Sequence, residues 1–162
     1  MFDKYGEFNS TEELRQAIQN QINEGDTQAA VEIGKENGID IDDIRDIADG
    51  TPVNEVITPA VAALGKIQVE AVEYNKLSDC IFSDWIEYIK AIALESPEAA
   101  EKIRSKDKHL AGCLAALLKV SFAGAFDVPD NIVKTAGVSA GKVKLGIPSQ
   151  KKCKDIIRGY YS

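Results

Sequence analysis

The sequence predicts a mainly α-helical protein arranged around one apolar helix. Within residues 108–126, Leu110, Leu114, Leu117 and Leu118 recur at the spacing of one helical face, and small residues cover much of the remaining surface. A helix that is apolar nearly all round is typically buried, so we expect this one to be the central strut on which neighbouring helices pack closely. Elsewhere, N-cap residues followed by apolar residues at helical spacing predict further helices.

The first 57 residues predict an acidic unit of three helices. Ser10 and Glu13 form a capping box at the start of the first helix. Asp26 and Asp40 are expected to cap the second and the third, and a glycine follows each of the three helices.

Residues 58–162 predict a second unit, a helical core domain with a basic C-terminal segment. Thr58 and Ser96 each precede a proline, which is typical of an N-cap followed by the first helical residue. We expect Asp107 to cap the apolar helix. A short β element is expected near residues 142–145, where apolar residues alternate with lysines.

Charge is divided unevenly along the chain. The net charge is −7, but residues 1–50 carry −9, residues 51–100 carry −5 and residues 101–162 carry +7. This polarity suggests two surfaces with different partners, or two parts that attract each other. The acidic candidates for partner binding are Asp40, Asp42, Asp43, Asp46 and Asp49. The basic candidates for phosphate contact are Lys142, Lys144, Lys151, Lys152, Lys154 and Arg158.

Patterns typical of metal or nucleotide binding fail at required positions. A calcium loop starting at Asp40 would place Arg45 where glycine is required and Thr51 where a bidentate glutamate is required. Between Gly137 and Gly141 there are three residues, whereas a phosphate-binding P-loop needs four and a hydroxyl after its lysine. The three cysteines match no zinc spacing, and the single histidine has no second imidazole beside it. We therefore expect no metal and no cofactor.

One pair of residues has the chemistry of a nucleophile and its base. His109 and Cys113 are four residues apart and share a helical face. Cys113 also lies among the leucines of the apolar helix, where burial raises the pKa of a thiol and makes it unreactive. We therefore expect core packing there, and no enzymatic activity.

The charge pattern of the sequence argues against two kinds of partner, nucleic acid at residues 27–49 and a membrane at residues 110–126. Residues 27–49 have the proportions of a helix-turn-helix, but the would-be recognition helix holds five acids and would be repelled by phosphates. The chain opens without an export signal, and residues 110–126 are short for a membrane span and include Lys119. We expect a cytoplasmic protein without a membrane partner.

Four segments stand out in the second half of the chain. They are residues 84–89 (DWIEYI), 97–103 (PEAAEKI), 107–114 (DKHLAGCL) and 156–161 (IIRGYY). In this order they resemble the PcfK-like family of mobile-element proteins in Gram-positive bacteria, over about residues 79–161. The acidic first ~75 residues have no counterpart in that resemblance, and the stretch between Phe126 and Ile147 is longer than the family's linker.

The resemblance implies a function without catalysis. Members of one branch of that family are described as anti-CRISPR proteins, which inhibit the RNA-guided nuclease of type II systems. The first hypothesis is therefore a non-enzymatic protein that binds a CRISPR effector nuclease, with the acidic residues competing for its positively charged nucleic-acid channel. The second is a conjugation or replication accessory protein that binds nucleic acid through its basic C-terminal segment.

Overall fold

The computed structural model describes residues 4–77, 79–139 and 141–162, and it confirms a mainly helical fold with a small two-stranded sheet. The helices are α1 (Thr11–Asn23), α2 (Thr27–Glu36), α3 (Ile41–Ala48), α4 (Val53–Val56), α5 (Pro59–Ala71), α6 (Ile81–Ala93), α7 (Pro97–Arg104), α8 (Leu110–Ala123), α9 (Asp130–Thr135) and α10 (Gln150–Tyr160). A 3-10 helix, Val72–Leu77, follows α5. The strands β1 (Phe126–Asp127) and β2 (Lys144–Leu145) pair antiparallel, with Phe126 opposite Leu145.

Most of the predicted helix starts are confirmed by their caps. Side chains at the N-cap positions accept hydrogen bonds from the first turn of α1, α2, α3, α5 and α7; they belong to Ser10, Asp26, Asp40, Thr58 and Ser96. The capping box at α1 is shifted by one residue, because Glu13 accepts from the Asn9 N–H at 2.8 Å and not from that of Ser10. The predicted β element is confirmed at residues 144–145.

The expectation that Asp107 caps the apolar helix is wrong. His109 occupies the N-cap of α8 and makes no side-chain cap, since Asp107 lies two residues too early to reach the first turn. The Leu110 N–H donates instead to Glu70 Oε2, at 2.5 Å, across from α5. A distant carboxylate therefore replaces the local cap, and it ties α8 to α5.

The N-terminal helices enclose one hydrophobic cluster. Its buried residues are Leu14, Ile18, Ala30, Ile33, Ile39, Ile44, Ile47, Ile57 and Ala62. They come from α1, α2 and α3, from the chain before α5, and from the first turn of α5 itself. The cluster thus reaches past residue 57, while the division of the chain into units 1–57 and 58–162 stays a prediction.

A second hydrophobic cluster is formed by α5, α6, α7, α8 and α10. Trp85 of α6 is 1% exposed within it, and α5 contributes Ala63 and Ile67. Helix α8 lies inside the predicted stretch but buries one face only, through Leu110, Cys113, Leu114 and Leu117. Helix α5 therefore joins the two clusters. No helix in the described part of the chain combines the length and the apolar composition that crossing a bilayer requires.

Two glycines allow the N-terminal helices to lie directly on α5. Gly38, at φ +71, follows α2, and a Cβ there would overlap the carbonyl of Gly65 in α5. A Cβ at Gly65 would lie 2.5 Å from the Asn37 carbonyl oxygen. Because the obstacles are backbone atoms, neither position has room for a side chain.

The chain from the last turns of α8 to the first turn of α10 is largely exposed. We call residues 118–152 the arm; none of its described residues is buried. The arm contains β1, α9 and β2, and Val128 N–H donates to the Val143 carbonyl beside the strands. Gly146 packs directly against the backbone at the end of α8, because a Cβ at this position would overlap the Ser121 carbonyl.

Replacing Gly65 with alanine should destabilise the protein by about 1–3 kcal/mol, because the new methyl group overlaps backbone that cannot rotate away. The matched control is Gly159→Ala in α10, where a Cβ meets nothing within 4 Å and the helix should gain up to about 1 kcal/mol. Chemical denaturation of both variants measures the difference. Equal free energies of unfolding for the two variants would show that the backbone after α2 does not pack tightly against Gly65.

Candidate functional site

Five ionisable residues converge where the two hydrophobic clusters meet. Glu7 comes from the segment before α1, Lys66 and Glu70 from α5, Arg104 from the end of α7, and His109 from the N-cap of α8. We call this group the ion cluster. Lys66 and Glu70 are four residues apart on one face of α5, so a single helix supplies both signs of charge to the group.

Lys66 lies at the centre of the ion cluster. Its Nζ is 2.6 Å from Glu7 Oε1 and 3.8 Å from Glu70 Oε1, and it donates to the Ser105 carbonyl at 2.5 Å. Its side chain is 2% exposed. Burial lowers the pKa of the Lys66 ammonium, although both carboxylates favour the charged form. The ammonium is therefore retained by its partners against a desolvation penalty.

Arg104 is fully buried beside Lys66. Its Nη2 donates to Asn37 Oδ1 at 2.7 Å, and its Nη1 lies 3.9 Å from Glu7 Oε1. Asn37 in turn donates through Nδ2 to the Ile33 carbonyl in the last turn of α2. Burial lowers the pKa of the Arg104 guanidinium, with Glu7 the largest opposing influence. Through Asn37, the ion cluster is connected to the N-terminal helices.

His109 forms the solvent-facing side of the ion cluster, and Glu70 lies buried behind it. His109 Nδ1 lies 3.2 Å from Glu70 Oε1 and 3.9 Å from Glu7 Oε2. The His109 side chain is 56% exposed, whereas that of Glu70 is 6% exposed. Tyr160 of α10 donates its hydroxyl to the His109 carbonyl, in contact with Gly112. The last helix is thus attached to the same corner.

Three residues of the ion cluster have the ligand atoms of a metal site. Glu7, Glu70 and His109 offer ligand atoms within 4.8 Å of one another, and carboxylate with imidazole is a reasonable ligand set for zinc. Lys66 already occupies the space between the carboxylates, and Glu70 Oε2 is engaged by the Leu110 N–H. A divalent cation would have to displace an ammonium that the carboxylates neutralise. The arrangement therefore suits an internal ion pair network better than a metal.

Sequence reasoning missed the ion cluster, although one signal was available. Lys66 and Glu70 interrupt the buried side of α5, where Ala62, Ala63 and Ile67 are apolar. A charged residue at a position that the helical period assigns to the core must find an oppositely charged partner, or the helix cannot pack. The identity of that partner, Glu7, depends on the tertiary fold.

The predicted acidic candidates lie together on α3. Asp40, Asp42, Asp46 and Asp49 are exposed, and Asp43 is half-buried. Partial burial raises the pKa of the Asp43 carboxyl, and the neighbouring aspartates add to the shift. Arg45 Nη1 pairs with Asp42 Oδ1 at 2.8 Å. Helix α3 therefore presents an acidic surface that its single arginine neutralises only in part.

The basic candidates are divided between two places. Lys142 and Lys144 lie in the arm, and Lys144 is 3.9 Å from Asp127. The other four belong to α10: Lys151, Lys152, Lys154 and Arg158. Arg158 Nη2 is paired with Glu95 of α6 at 2.7 Å. Lysines near the start of α10 are therefore better placed to meet an external anion than its arginine.

Cys113 and His109, considered above as a nucleophile and its base, do not have the chemistry of a reactive thiol pair. Cys113 is buried, and desolvation raises its pKa to about 12, so the thiolate is scarce at neutral pH. His109 faces Glu70 at the ion cluster. These observations favour the packing role that the sequence predicts for Cys113.

Replacing Lys66 with methionine should destabilise the protein by roughly 3 kcal/mol, because it leaves Glu7 and Glu70 without their central cation. Adding Glu7→Gln should restore part of the loss, since it removes one of the uncompensated charges. A double-mutant cycle measured by urea denaturation gives both quantities. Lys90→Met is the control, because the Lys90–Glu87 pair lies on the surface and contributes about 1 kcal/mol or less. A loss at Lys66 no larger than at Lys90, or strictly additive changes, would contradict the network.

Comparison of the chain with protein-family models, with curated proteins and with solved structures gives no match. The resemblance to the PcfK-like family therefore stays a prediction.

Proposed function

We propose that this protein is a non-enzymatic inhibitor that binds a type II CRISPR effector nuclease in the bacterial cytoplasm and competes there with nucleic acid. The observation that carries this proposal is the acidic surface of α3, where five aspartates lie within ten residues and four of them are exposed. The resemblance of residues 79–161 supplies the class of target. The acidic surface supplies the means of competition.

The target's own electrostatics favour this mode of binding. Effector nucleases of this type hold a nucleic-acid duplex in a positively charged channel and contact its backbone rather than its sequence. Asp42, Asp46 and Asp49 follow one another at about 6 Å and about 4.5 Å along the helix axis. Phosphates of one DNA strand advance by about 3.4 Å per nucleotide along the duplex axis, so successive aspartates span between one and two nucleotide steps.

Repulsion within α3 adds to the driving force. Partial burial is the main cause of the raised pKa of the Asp43 carboxyl. The negative charges of Asp40, Asp46 and Asp42 raise this pKa further. A cationic channel would relieve this repulsion, whereas a neutral partner would not. Binding should therefore weaken as salt screens the charges.

Reversing two charges on α3, Asp46→Lys and Asp49→Lys, should raise the concentration needed for half-inhibition of DNA cleavage by about tenfold or more. The control reverses Glu73 and Asp84, which are exposed elsewhere and change the net charge by the same amount. Cleavage of target DNA by purified effector with its guide RNA is the measurement, across several orthologous nucleases. Undiminished cleavage by all of them at excess wild-type protein would refute the proposed inhibition. Full inhibition by the α3 variant would show that the acidic surface of α3 is not the part that binds the nuclease.

A second candidate function, nucleic-acid binding through the basic C-terminal segment, is favoured by the start of α10. Lys151 and Lys152 lie in its first turn, which contains no acid. Cations there oppose the helix dipole and cost stability, by roughly 0.3–1 kcal/mol each. An anionic ligand at this end would offset that penalty, so the lysines fit a binding role better than a stabilising one.

If this second function holds, the protein should shift a DNA duplex in a gel at low salt. Replacing Lys151 and Lys152 with glutamate should weaken binding and make the slope of log K against log salt shallower by roughly 2, since two phosphate contacts are lost. Lys35→Glu with Lys90→Glu, on other surfaces, is the charge-matched control. No shift by the wild type at low salt would exclude this function, because phosphate binding is strongest there.

A further inference from the structure

The exposed apolar surface of this protein is concentrated in the arm. Of the ten large hydrophobic residues that are exposed in the described chain, seven lie between residues 118 and 147. Phe122 is 81% exposed and Phe126 is 57% exposed. Single exposed hydrophobic residues are ordinary, but a concentration of this kind marks an interaction surface.

Apolar residues of the arm lie side by side in two places. Phe122 and Ile147 line one notch of about 260 Å³ at the end of α8, together with Lys144. Phe126 lies opposite Leu145 in the strand pair. The notch therefore combines exposed apolar side chains with a lysine.

The arm buries little of its own surface. Fixing a backbone residue costs about 1–2 kcal/mol, and an isolated two-stranded hairpin is marginal even with longer strands. Here each strand has two residues, and no described residue of the arm is buried. A partner that covers the exposed apolar residues would add burial that the arm does not provide by itself.

Charge and composition restrict the partner. The arm carries six lysines and two aspartates, so its partner should be acidic. Five of the seven exposed hydrophobic residues are aliphatic, which suits a protein surface; single-stranded nucleic acid would instead use aromatic rings for stacking. The occupant should therefore be a protein surface with an apolar floor and an acidic border.

This chain contains such a surface in its N-terminal half. A groove of about 590 Å³ lies between α2, α3 and α5, and we call it the acidic groove. Its lining includes the apolar residues Ile39, Val61 and Leu64, the carboxylates of Asp40 and Asp43, and one cation, Lys35. Residues 1–50, which supply most of its lining, carry the −9 charge. With two carboxylates against one lysine, the acidic groove carries the charge opposite to that of the arm, and its apolar residues can receive an aromatic side chain.

We propose that the arm of one copy docks into the acidic groove of a second copy of this chain, with Phe122 and its neighbours against the apolar residues of the groove and Lys144 near Asp43. The two surfaces differ, so the contact is heterologous: it closes as a reciprocal dimer or a ring, or it continues as an open chain. The raised pKa of the Asp43 carboxyl accords with a site that gains from an incoming cation.

Sedimentation velocity of the purified protein tests the docking, from about 1 μM to about 1 mM and at low and high salt. The wild type should associate above its monomer mass of 17.6 kDa, more strongly at low salt. Phe122→Ser, Lys144→Glu and Asp43→Lys should each weaken association by about tenfold or more. Melting temperatures check that the variants remain folded, as expected for side chains at the surface.

Charge exchange makes the test specific. An equimolar mixture of the Lys144→Glu and Asp43→Lys variants should associate again. The unchanged arm of the Asp43→Lys variant can bind the unchanged groove of the Lys144→Glu variant. In the opposite pairing, the glutamate at position 144 meets the lysine at position 43. Lys90→Glu with Glu73→Lys is the control pair and should leave association unchanged. The assay contains no nuclease, so its result is independent of the proposed inhibition.

Three results would overturn the docking. The first is a monomer at every concentration. The second is association that Asp43→Lys and Lys144→Glu leave unchanged. The third is a monomer whose binding to a single-stranded oligonucleotide is weakened by Phe122→Ser, which would make the arm a nucleic-acid surface instead.

Discussion

The burial of two cations, Lys66 and Arg104, is the constraint on which the rest of the structure depends. Burial of these side chains is compensated by contacts with Glu7, Glu70 and Asn37. These partners come from three separate parts of the chain. An assembly that lacks any one of them leaves a buried cation without a counter-charge or without a hydrogen-bond acceptor. The ion cluster thus penalises partly folded arrangements in which the N-terminal helices, α7 and α8 have not all gathered on α5.

Helix α5 can serve as the shared element because its surface changes character along its length. Ala62 belongs to the N-terminal hydrophobic cluster, whereas Ile67 belongs to the other. Gly65, between them, lets the backbone of the chain after α2 approach directly. One helix therefore packs against both sides of the protein, and the charges beside Gly65 fix how the two sides meet.

The local features of this fold were predictable from the sequence, and the long-range ones were not. Caps such as Thr58 and Ser96 act within one helical turn, so their residue types identify helix starts directly. The start of α8 depends on Glu70, forty residues away, and the local candidate Asp107 was therefore wrong. The acidic surface of α3 could also be predicted, because its aspartates are close together in the sequence and belong to one helix. The acidic groove combines α2, α3 and α5, so only the packed structure reveals it.

The arm differs from the body of the protein in a way that bears on how the sequence can change over time. Since no described residue between Leu117 and Cys153 is buried, substitutions there leave both hydrophobic clusters intact. Selection for folding acts weakly on such a segment, and selection for binding acts almost alone. A lineage can therefore acquire a new partner by altering the arm, while α8 and α10, which carry the buried residues on either side of it, stay fixed.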